Sequence, residues 1–373
     1  MRHSSRVPPD HEPRPLPGTG PGPRPGAAPT TWARAWQRAL YGGSGFYRAQ
    51  APAQHFHTSA QGIPGAGTVL AEAVVRLCRR HGLGTVVDVG SGRGELLAEV
   101  HRLAPELRLH GVDVVGRPPD LHVDRWTRSP GGAALPADLR DLRSALVVAH
   151  EWLDVVPCPV LARDRTGTWR ELLVHEDGTE EPGPPPSPDD TAWAERWLGP
   201  HVRRAEVGGP RDRAAADLVA RVAQGLVLFV DYGHTSVDRP AGGTLTGYRG
   251  GRQVAPVPDG SCDLTAHVAW DSLVDHLGPT ATLTPQRAAL LGLLQADGPA
   301  VDDADRTGED PLAPVPHGLA RTDPAAYLER LARRAALGAL TAPGGLGDFG
   351  WVLVPVESSC DGRGHPDERP AAD

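Results

Sequence analysis

The most constraining feature of this sequence is a short run of β-branched residues that ends directly in a cluster of glycines. The run GTVVDV covers residues 84–89, GSGRG follows at 90–94, and the helical pattern ELLAEVHRL covers 95–103. A strand that passes through a glycine turn into a helix is typical of α/β proteins that bind a ligand at the turn. The segment therefore indicates both a fold class and one edge of a binding site.

Three further apolar runs predict strands at 107–115, 144–149 and 225–230. Short, almost wholly apolar strands separated by helices are typical of a parallel sheet that is buried on both faces. Between the strands, the sequence predicts a hairpin across Thr-Gly at 160–174 and helices at 68–80, 214–223 and 324–337. We therefore expect an α/β protein with a doubly wound sheet and inserted subdomains.

Composition and charge exclude several classes of protein. The formal net charge is −8, which disfavours a nucleic-acid partner because phosphate backbones are held by a surplus of cations. No apolar run approaches the roughly 20 residues of a membrane span, and the N-terminus has no apolar core of a secretion signal. We therefore expect a cytoplasmic chain with no membrane partner.

Cysteine and proline usage adds to this picture. The cysteines form no CxxC pair and suggest neither a zinc site nor a disulfide framework: Cys78, Cys158, Cys262 and Cys360. The chain has 45 Gly and 39 Pro, and these are concentrated in segments that we expect to be irregular. These segments are a disordered tail at 1–30, loops at 179–190 and 297–316, and a disordered tail at 357–373.

The glycine turn has the spacing GxGxG, with Gly90, Gly92 and Gly94, and Asp88 precedes it at the strand end. In the dinucleotide fingerprint a third glycine would stand at Glu95. An acidic residue followed by GxGxG is instead typical of S-adenosylmethionine-binding methyltransferases. The alternative is a structural turn without a ligand.

A second acidic residue supports a bound cofactor. Asp113 ends the next strand, 23 residues after Gly90, near the offset at which a carboxylate binds ribose hydroxyls. We therefore predict that S-adenosylmethionine binds at Asp88, the three glycines and Asp113. The alternative is that Asp113 only caps a helix.

The run HEWLDVVP follows the third strand, at residues 150–157. Carboxyl ends of parallel strands line the ligand crevice, so Glu151 and Asp154 are candidate catalytic residues that meet the methyl acceptor. The alternative is that both acids lie in the first turn of a helix, where they stabilise its dipole.

Two other clusters are candidates for weaker reasons. Asp231 and Tyr232 follow the fourth strand and either line the acceptor side of the crevice or form a capped turn. Asp263 and His267 are four residues apart, but no third ligand is near, so we favour a helix cap with a hydrogen-bonded histidine over a metal site. We predict no metal.

Several segments together resemble the MidA family, which includes the mitochondrial complex I assembly methyltransferases. HEWLDVVP stands in the place of the family's NExxDALP motif, and the most specific segments are GLVLFVDYG at 225–233 and DLTAHV at 263–268. Other matching segments are Tyr41 with Gly45-Phe46-Tyr47, HFHTS at 55–59, WRE at 169–171, TPQ at 284–286 and GDF at 347–349. The resemblance spans about residues 31–356.

This resemblance implies a class I methyltransferase fold, S-adenosylmethionine as the donor and, for the mitochondrial branch, an arginine side chain of a protein as the acceptor. It implies one methyltransferase domain at 31–356 with insertions at about 158–215 and 235–345. The chain departs from the family at His150, where the family has Asn, and at His55, where it has Asp. A small-molecule acceptor and a non-catalytic assembly factor that only binds the cofactor therefore stay open, and the sequence does not indicate an oligomeric state.

Overall fold

The computed structural model describes residues 28–49, 63–295 and 312–357. Most of the predicted tails and of the predicted loop at 297–316 lie outside these ranges, and Thr30, placed in the predicted N-terminal tail, is the first residue of a strand. The strands are β1 (Thr30–Thr31), β2 (Thr85–Val89), β3 (Arg108–Asp113), β4 (Arg125–Arg128), β5 (Leu142–His150), β6 (Val160–Arg163), β7 (Trp169–Val174), β8 (Glu180–Pro182), β9 (Arg204–Glu206), β10 (Val222–Asp231), β11 (Gly233–His234), β12 (Thr246–Arg249), β13 (Arg252–Val254), β14 (Asp263–Thr265), β15 (Val268–Ala269), β16 (Thr282–Pro285) and β17 (Gly350–Val356). The helices are α1 (Trp32–Tyr41), α2 (Phe46–Ala49), α3 (Ala66–His81), α4 (Glu95–Leu103), α5 (Pro188–Trp197), α6 (Gly209–Ala220), α7 (Trp270–Leu277), α8 (Gln286–Gln295), α9 (Leu319–Thr322) and α10 (Pro324–Leu340).

The central sheet has seven strands in the order β16-β17-β10-β5-β2-β3-β4. The four strands predicted from apolar runs are confirmed, and they are the neighbouring strands β10, β5, β2 and β3, all parallel. The sheet is mixed rather than wholly parallel, because β17 runs antiparallel to both β10 and β16. The carboxyl ends of β2, β3, β5 and β10 consequently meet at one edge.

Helices cover both faces of this sheet, as expected for a doubly wound arrangement. On one face, α3, α4, α8 and α10 pack against side chains such as Val86, Leu146 and Leu228. On the other, α6 and α7 pack against the alternate residues, such as Val87 and Val147. Burial of both faces explains why these strands are nearly continuous apolar runs.

Smaller sheets lie beside the central sheet. The predicted hairpin at 160–174 is confirmed as β6 and β7, which join β1, β8 and β9 in a five-stranded sheet. A three-stranded sheet has the order β13-β12-β14, and β11 pairs with β15. Helix α1 packs over a third apolar cluster that includes Trp36, Val160 and Leu264.

Two local predictions were wrong in part. The predicted loop at 179–190 contains β8, which pairs with β7, and the start of α5, where the Ser187 side chain accepts a hydrogen bond from the Asp190 N–H. The helix predicted at 214–223 begins earlier and ends at Ala220, because Val222 already pairs with Leu142 in the sheet. No helix in the described ranges is long and apolar enough to cross a lipid bilayer.

Candidate functional site

The glycine turn connects β2 to α4 at the carboxyl edge of the central sheet. Gly90, Gly92 and Gly94 have φ angles of 78°, 58° and 80°. This left-handed region is readily accessible to glycine because it has no Cβ. A Cβ on Gly94 would also collide with the Leu121 side chain. The GxGxG spacing thus follows from three alternate left-handed residues in one tight turn.

The two acids predicted to bind the cofactor lie on either side of this turn. Asp88 is buried, and its Oδ2 accepts a hydrogen bond of 2.8 Å from the Ser91 hydroxyl. Burial raises the pKa of Asp88 to about 7. Asp88 therefore supports the turn from within the protein.

Asp113 is only half-buried at the end of β3. Its Oδ2 accepts the Gly92 N–H at 2.8 Å, and its Oδ1 accepts the Val115 N–H at 3.1 Å. Burial raises the pKa of Asp113 to about 6 although these N–H groups favour the charged form. An ionised carboxylate has about four acceptor positions, so Asp113 has capacity left for ribose hydroxyls. Of the two acids, Asp113 is the better placed to contact a nucleoside.

The loop after β5 adopts turns, so the alternative of acids in the first turn of a helix is wrong. Glu151 has a φ of +51°, which is unusual for a residue with a Cβ, and its N–H donates to the Val230 carbonyl at 2.7 Å. Such a conformation costs on the order of 1–3 kcal/mol and is typical of functional sites. Trp152 packs over the glycine turn, since a Cβ on Gly90 would lie 3.5 Å from its side chain.

Asp154 lies beneath this loop and is buried. Its Oδ2 accepts a short hydrogen bond from the Tyr232 hydroxyl. Its Oδ1 has no hydrogen-bond partner among the described residues. Burial, together with the charge of the neighbouring Glu151, raises the pKa of Asp154 to about 7 although the hydrogen bond from Tyr232 lowers it. A buried polar atom without a partner costs roughly 1–3 kcal/mol, which favours a ligand at this position.

Asp231 at the end of β10 holds the same loop. Its Oδ2 accepts the N–H groups of Leu153 and Asp154, both at 3.1 Å. Burial raises the pKa of Asp231 well above the ordinary value, and the carboxyls of Asp154 and Glu151 raise it further. Of the two interpretations of Asp231, the structure favours the capped turn.

Arg211 on α6 is a buried cation whose charge lowers the pKa of both Asp154 and Asp231. Its guanidinium donates to the carbonyls of Asp154, Val156 and His267 at 2.8, 3.2 and 2.9 Å. It also lies over the Trp36 ring, with its central carbon 5.6 Å from the ring centroid. Arg211 therefore ties the loop after β5 at residues 151–157, which we call the acidic loop, to the backbone of His267.

The prediction that Asp263 caps a helix was wrong, because Asp263 begins strand β14. Its side chain is buried, and its Oδ1 accepts a hydrogen bond of 2.7 Å from the Tyr47 hydroxyl. Tyr248 stands directly opposite Asp263 on β12, so both side chains lie on one face of the small sheet. Burial raises the pKa of Asp263 well above the ordinary value, and Asp154 raises it further.

Four of the five tyrosines in the chain surround these carboxyls: Tyr41, Tyr47, Tyr232 and Tyr248. The pKa of Tyr41 is raised by burial first and then by the charges of Asp263, Asp154 and Asp113. Tyr41 therefore lies close enough to interact electrostatically with Asp113 beside the glycine turn and with Asp154 in the acidic loop. We call Asp154, Asp263, Thr265 and these four tyrosines the carboxyl–tyrosine cluster.

His150, the departure from the family motif, lies at the end of β5. Its Nδ1 is 3.8 Å from Glu151 Oε1. Burial lowers the pKa of His150 to about 4, so the imidazole is neutral at pH 7 and this contact is not an ion pair there. Among the described residues, no three His, Cys, Asp or Glu side chains converge as metal ligands would.

Comparisons with known proteins bear on both the fold and the site. Residues 122–288 match the model of a family described as "Putative S-adenosyl-L-methionine-dependent methyltransferase". This segment includes the acidic loop, Tyr232 and β14 but not the glycine turn. A comparison with curated proteins gives no match.

Two solved structures share the fold. One is a COG1565 superfamily member from Burkholderia thailandensis bound to S-adenosyl-homocysteine, with 22% identity and a TM-score of 0.66 over 88% of each chain. The other is a native structure of an uncharacterized COG1565 superfamily protein from the same organism, with 22% identity and a TM-score of 0.64, covering 88% of this chain and 87% of that one. The family match and the shared fold support an S-adenosylmethionine-dependent methyltransferase, the class that the sequence predicts.

Proposed function

We propose that this chain is an S-adenosylmethionine-dependent methyltransferase of the MidA type that methylates a cationic nitrogen acceptor, foremost the arginine side chain of a protein. The observation that carries the proposal is the meeting of two kinds of group at one sheet edge. Asp113 and the glycine turn lie beside the carboxyl–tyrosine cluster, because the charge of Asp113 and the charges of Asp154 and Asp263 all raise the pKa of Tyr41. A donor and an acceptor can therefore be held next to each other.

The strand order supports a class I arrangement. Parallel strands β4, β3, β2, β5 and β10 are followed by the antiparallel β17, and β16 then runs in the parallel direction again. Helices cover both faces, and the candidate site lies at the carboxyl edge where ligands bind in such sheets. A S-adenosylhomocysteine-bound relative with this fold is consistent with a donor at that edge.

The residues at the turn fit a nucleoside with an amino-acid portion. The left-handed Gly90 and Gly92 keep the turn free of side chains, and Asp113 presents a carboxylate with unused acceptor positions. When bound, S-adenosylmethionine supplies a methyl group that its sulfonium centre already activates. Asp113 would hold ribose hydroxyls, and Asp88 would keep the turn in place through Ser91.

The work left to the protein is to orient the acceptor, to balance its charge and to take up the proton that the attacking nitrogen loses as it gains the methyl group, for which the carboxylates of Asp154 and Glu151 are the candidates. An arginine guanidinium stays protonated at neutral pH and presents several N–H donors in one plane. The unpartnered Oδ1 of Asp154 would accept one of these N–H groups, while Tyr232 holds the other oxygen of that carboxyl. Glu151, in its strained conformation, would supply a second carboxylate at the crevice.

Transfer of a labelled methyl group tests this function. Wild-type protein and Asp154→Asn are each incubated with cell lysate and methyl-labelled S-adenosylmethionine, and labelled products are separated into proteins and small molecules. We expect a labelled protein with wild type and far less label with Asp154→Asn. Label in small molecules only would replace the arginine acceptor. Cofactor binding without any labelled product would favour a non-catalytic assembly factor.

A further inference from the structure

The carboxyl–tyrosine cluster contains a second carboxyl whose placement none of the catalytic assignments explains. Asp263 is fully buried, and Tyr47 satisfies its Oδ1, but its Oδ2 has no hydrogen-bond partner among the described residues. Thr265, two residues along β14, lies on the same side of the small sheet as Asp263, because alternate residues of a strand share a face.

This side of β14 adjoins the acidic loop. The N–H of Ala266, the residue after the strand, donates to the Asp154 carbonyl at 3.1 Å. The charge of Asp154 raises the pKa of Asp263. The pKa of Tyr248 is raised by burial and then by the charges of Asp154, Asp263 and Glu151. The unpartnered oxygens of Asp154 and Asp263 therefore belong to one neighbourhood, and each phenol that touches a carboxyl there already donates its proton.

We propose that Asp263, held by Tyr47, is a second acceptor-binding residue that contacts the same cationic group as Asp154. This inference rests on the proposed function and assigns a specificity-determining role to a residue outside the acidic loop. When ionised, the unpartnered carboxylate oxygens of Asp154 and Asp263 only accept hydrogen bonds, so a group that contacts both must donate on more than one side. A planar guanidinium has donors on several edges, whereas a neutral hydroxyl has one.

The charge balance of the cluster supports a cation. Arg211 is directed at backbone carbonyls, whereas the two carboxyls of the cluster, Asp154 and Asp263, each have one oxygen without a hydrogen-bond partner among the described residues. Burial raises the pKa of Asp263 well above the ordinary value, so ionisation of this carboxyl is disfavoured without a partner of opposite charge. An entering cation favours the ionised carboxylate, so binding should release protons.

Binding of methylguanidinium to the protein saturated with S-adenosylhomocysteine tests the proposal, with chemical-shift titration for affinity and calorimetry in two buffers for proton release. The variants are Asp263→Asn, which keeps the shape of the side chain, and Tyr47→Phe, which removes only the hydroxyl that holds Asp263. Glu195→Gln on the exposed face of α5 is the matched control. Melting temperature and S-adenosylhomocysteine affinity report the fold of each variant.

We expect methylguanidinium to bind wild type and Glu195→Gln alike, and to bind Asp263→Asn at least about tenfold more weakly, the loss for one charged hydrogen bond. Asp263→Asn should also release fewer protons, and Tyr47→Phe should change proton release even where affinity is kept. Equal affinity in Asp263→Asn, or no binding to wild type, would overturn the proposal. Failure of wild type to bind S-adenosylhomocysteine would instead contradict the proposed function itself.

Discussion

The replacement Asp154→Asn separates a catalytic carboxyl from a structural one. Asn keeps the shape of the side chain, and its oxygen can still accept the hydrogen bond from Tyr232. Its amide nitrogen then takes the place of the unpartnered Oδ1, so an acceptor atom becomes a donor. A cationic methyl acceptor would meet an N–H group where the wild type offers an oxygen.

The expected loss follows from that one contact. A hydrogen bond to a charged group contributes roughly 1.5–3 kcal/mol, which corresponds to about a 10- to 150-fold fall in kcat/KM. Donor affinity should stay unchanged, because Asp113 and the glycine turn are not altered. The pattern is that of an interaction with the acceptor or the transition state.

Stability should move in the opposite direction. The pKa of Asp154 is raised by burial to about 7, so the wild type loses stability as pH rises from the unfolded value near 4 through about 7. Asn has no charge to bury, so Asp154→Asn should become more stable relative to wild type over that range. A structural Asp154 would instead make the variant less stable at every pH.

The assay pairs single-turnover methyl transfer with urea unfolding at pH 5 and pH 8 on the same preparations. Glu195→Gln, an exposed acid made neutral on α5, is the control and should match wild type in both measurements. Transfer by Asp154→Asn at the wild-type rate would refute the role assigned to Asp154. A difference in unfolding free energy between Asp154→Asn and wild type that is the same at pH 5 and pH 8 would refute the account of its buried charge.

Three further predictions concern residues around the site. In calorimetry, Asp113→Ala should weaken binding of S-adenosylmethionine about 10- to 150-fold, because the ribose hydroxyls lose a charged hydrogen-bond partner. Unchanged affinity with an intact fold would show that Asp113 is not part of the site. The pKa of Asp88 is raised from 3.8 to about 7, so the wild type loses stability as pH rises through this range. In urea unfolding, Asp88→Asn should therefore gain up to roughly 4 kcal/mol of stability relative to wild type between pH 4 and pH 8. A difference that does not change with pH would contradict the buried charge. Arg211→Met leaves three backbone carbonyls without their donor. It should lower the free energy of unfolding by about 3–5 kcal/mol, with no change in the slope of that free energy against denaturant concentration. A loss below about 1 kcal/mol would show that other groups hold the acidic loop.

The central sheet could be predicted because its strands obey local rules. A strand buried on both faces must be apolar throughout, and four such runs were visible in the sequence as β2, β3, β5 and β10. Strand β17 was not predicted, and nothing in its sequence GWVLVPV indicates that it pairs antiparallel to its neighbours. The start of α6 was missed because Gly209 and Pro210 are poor helix formers in a helix interior, whereas Pro is accepted in the first turn.

The site was partly accessible in the same way. Asp88, Asp113 and the acidic loop could be predicted as parts of the site, because each lies at the end of an apolar run that predicts a strand. Asp263 could not be placed, because its partner Tyr47 is 216 residues away in the chain and only the fold brings them together. One signal was visible but could not be interpreted, namely that the segments resembling the family contain three of the chain's five tyrosines, Tyr41, Tyr47 and Tyr232.

The claim that the glycine turn binds the methyl donor is tested most directly by calorimetric titration with S-adenosylhomocysteine. Gly92→Val puts a β-branched side chain at φ 58° in the turn, and Gly82→Val puts the same strain at φ 63° after α3, with no atom within 4 Å of its Cβ. We predict saturable binding of one molecule to wild type and to Gly82→Val, and none to folded Gly92→Val. No binding to wild type, or equal affinity in all three proteins, would contradict a donor site at this turn.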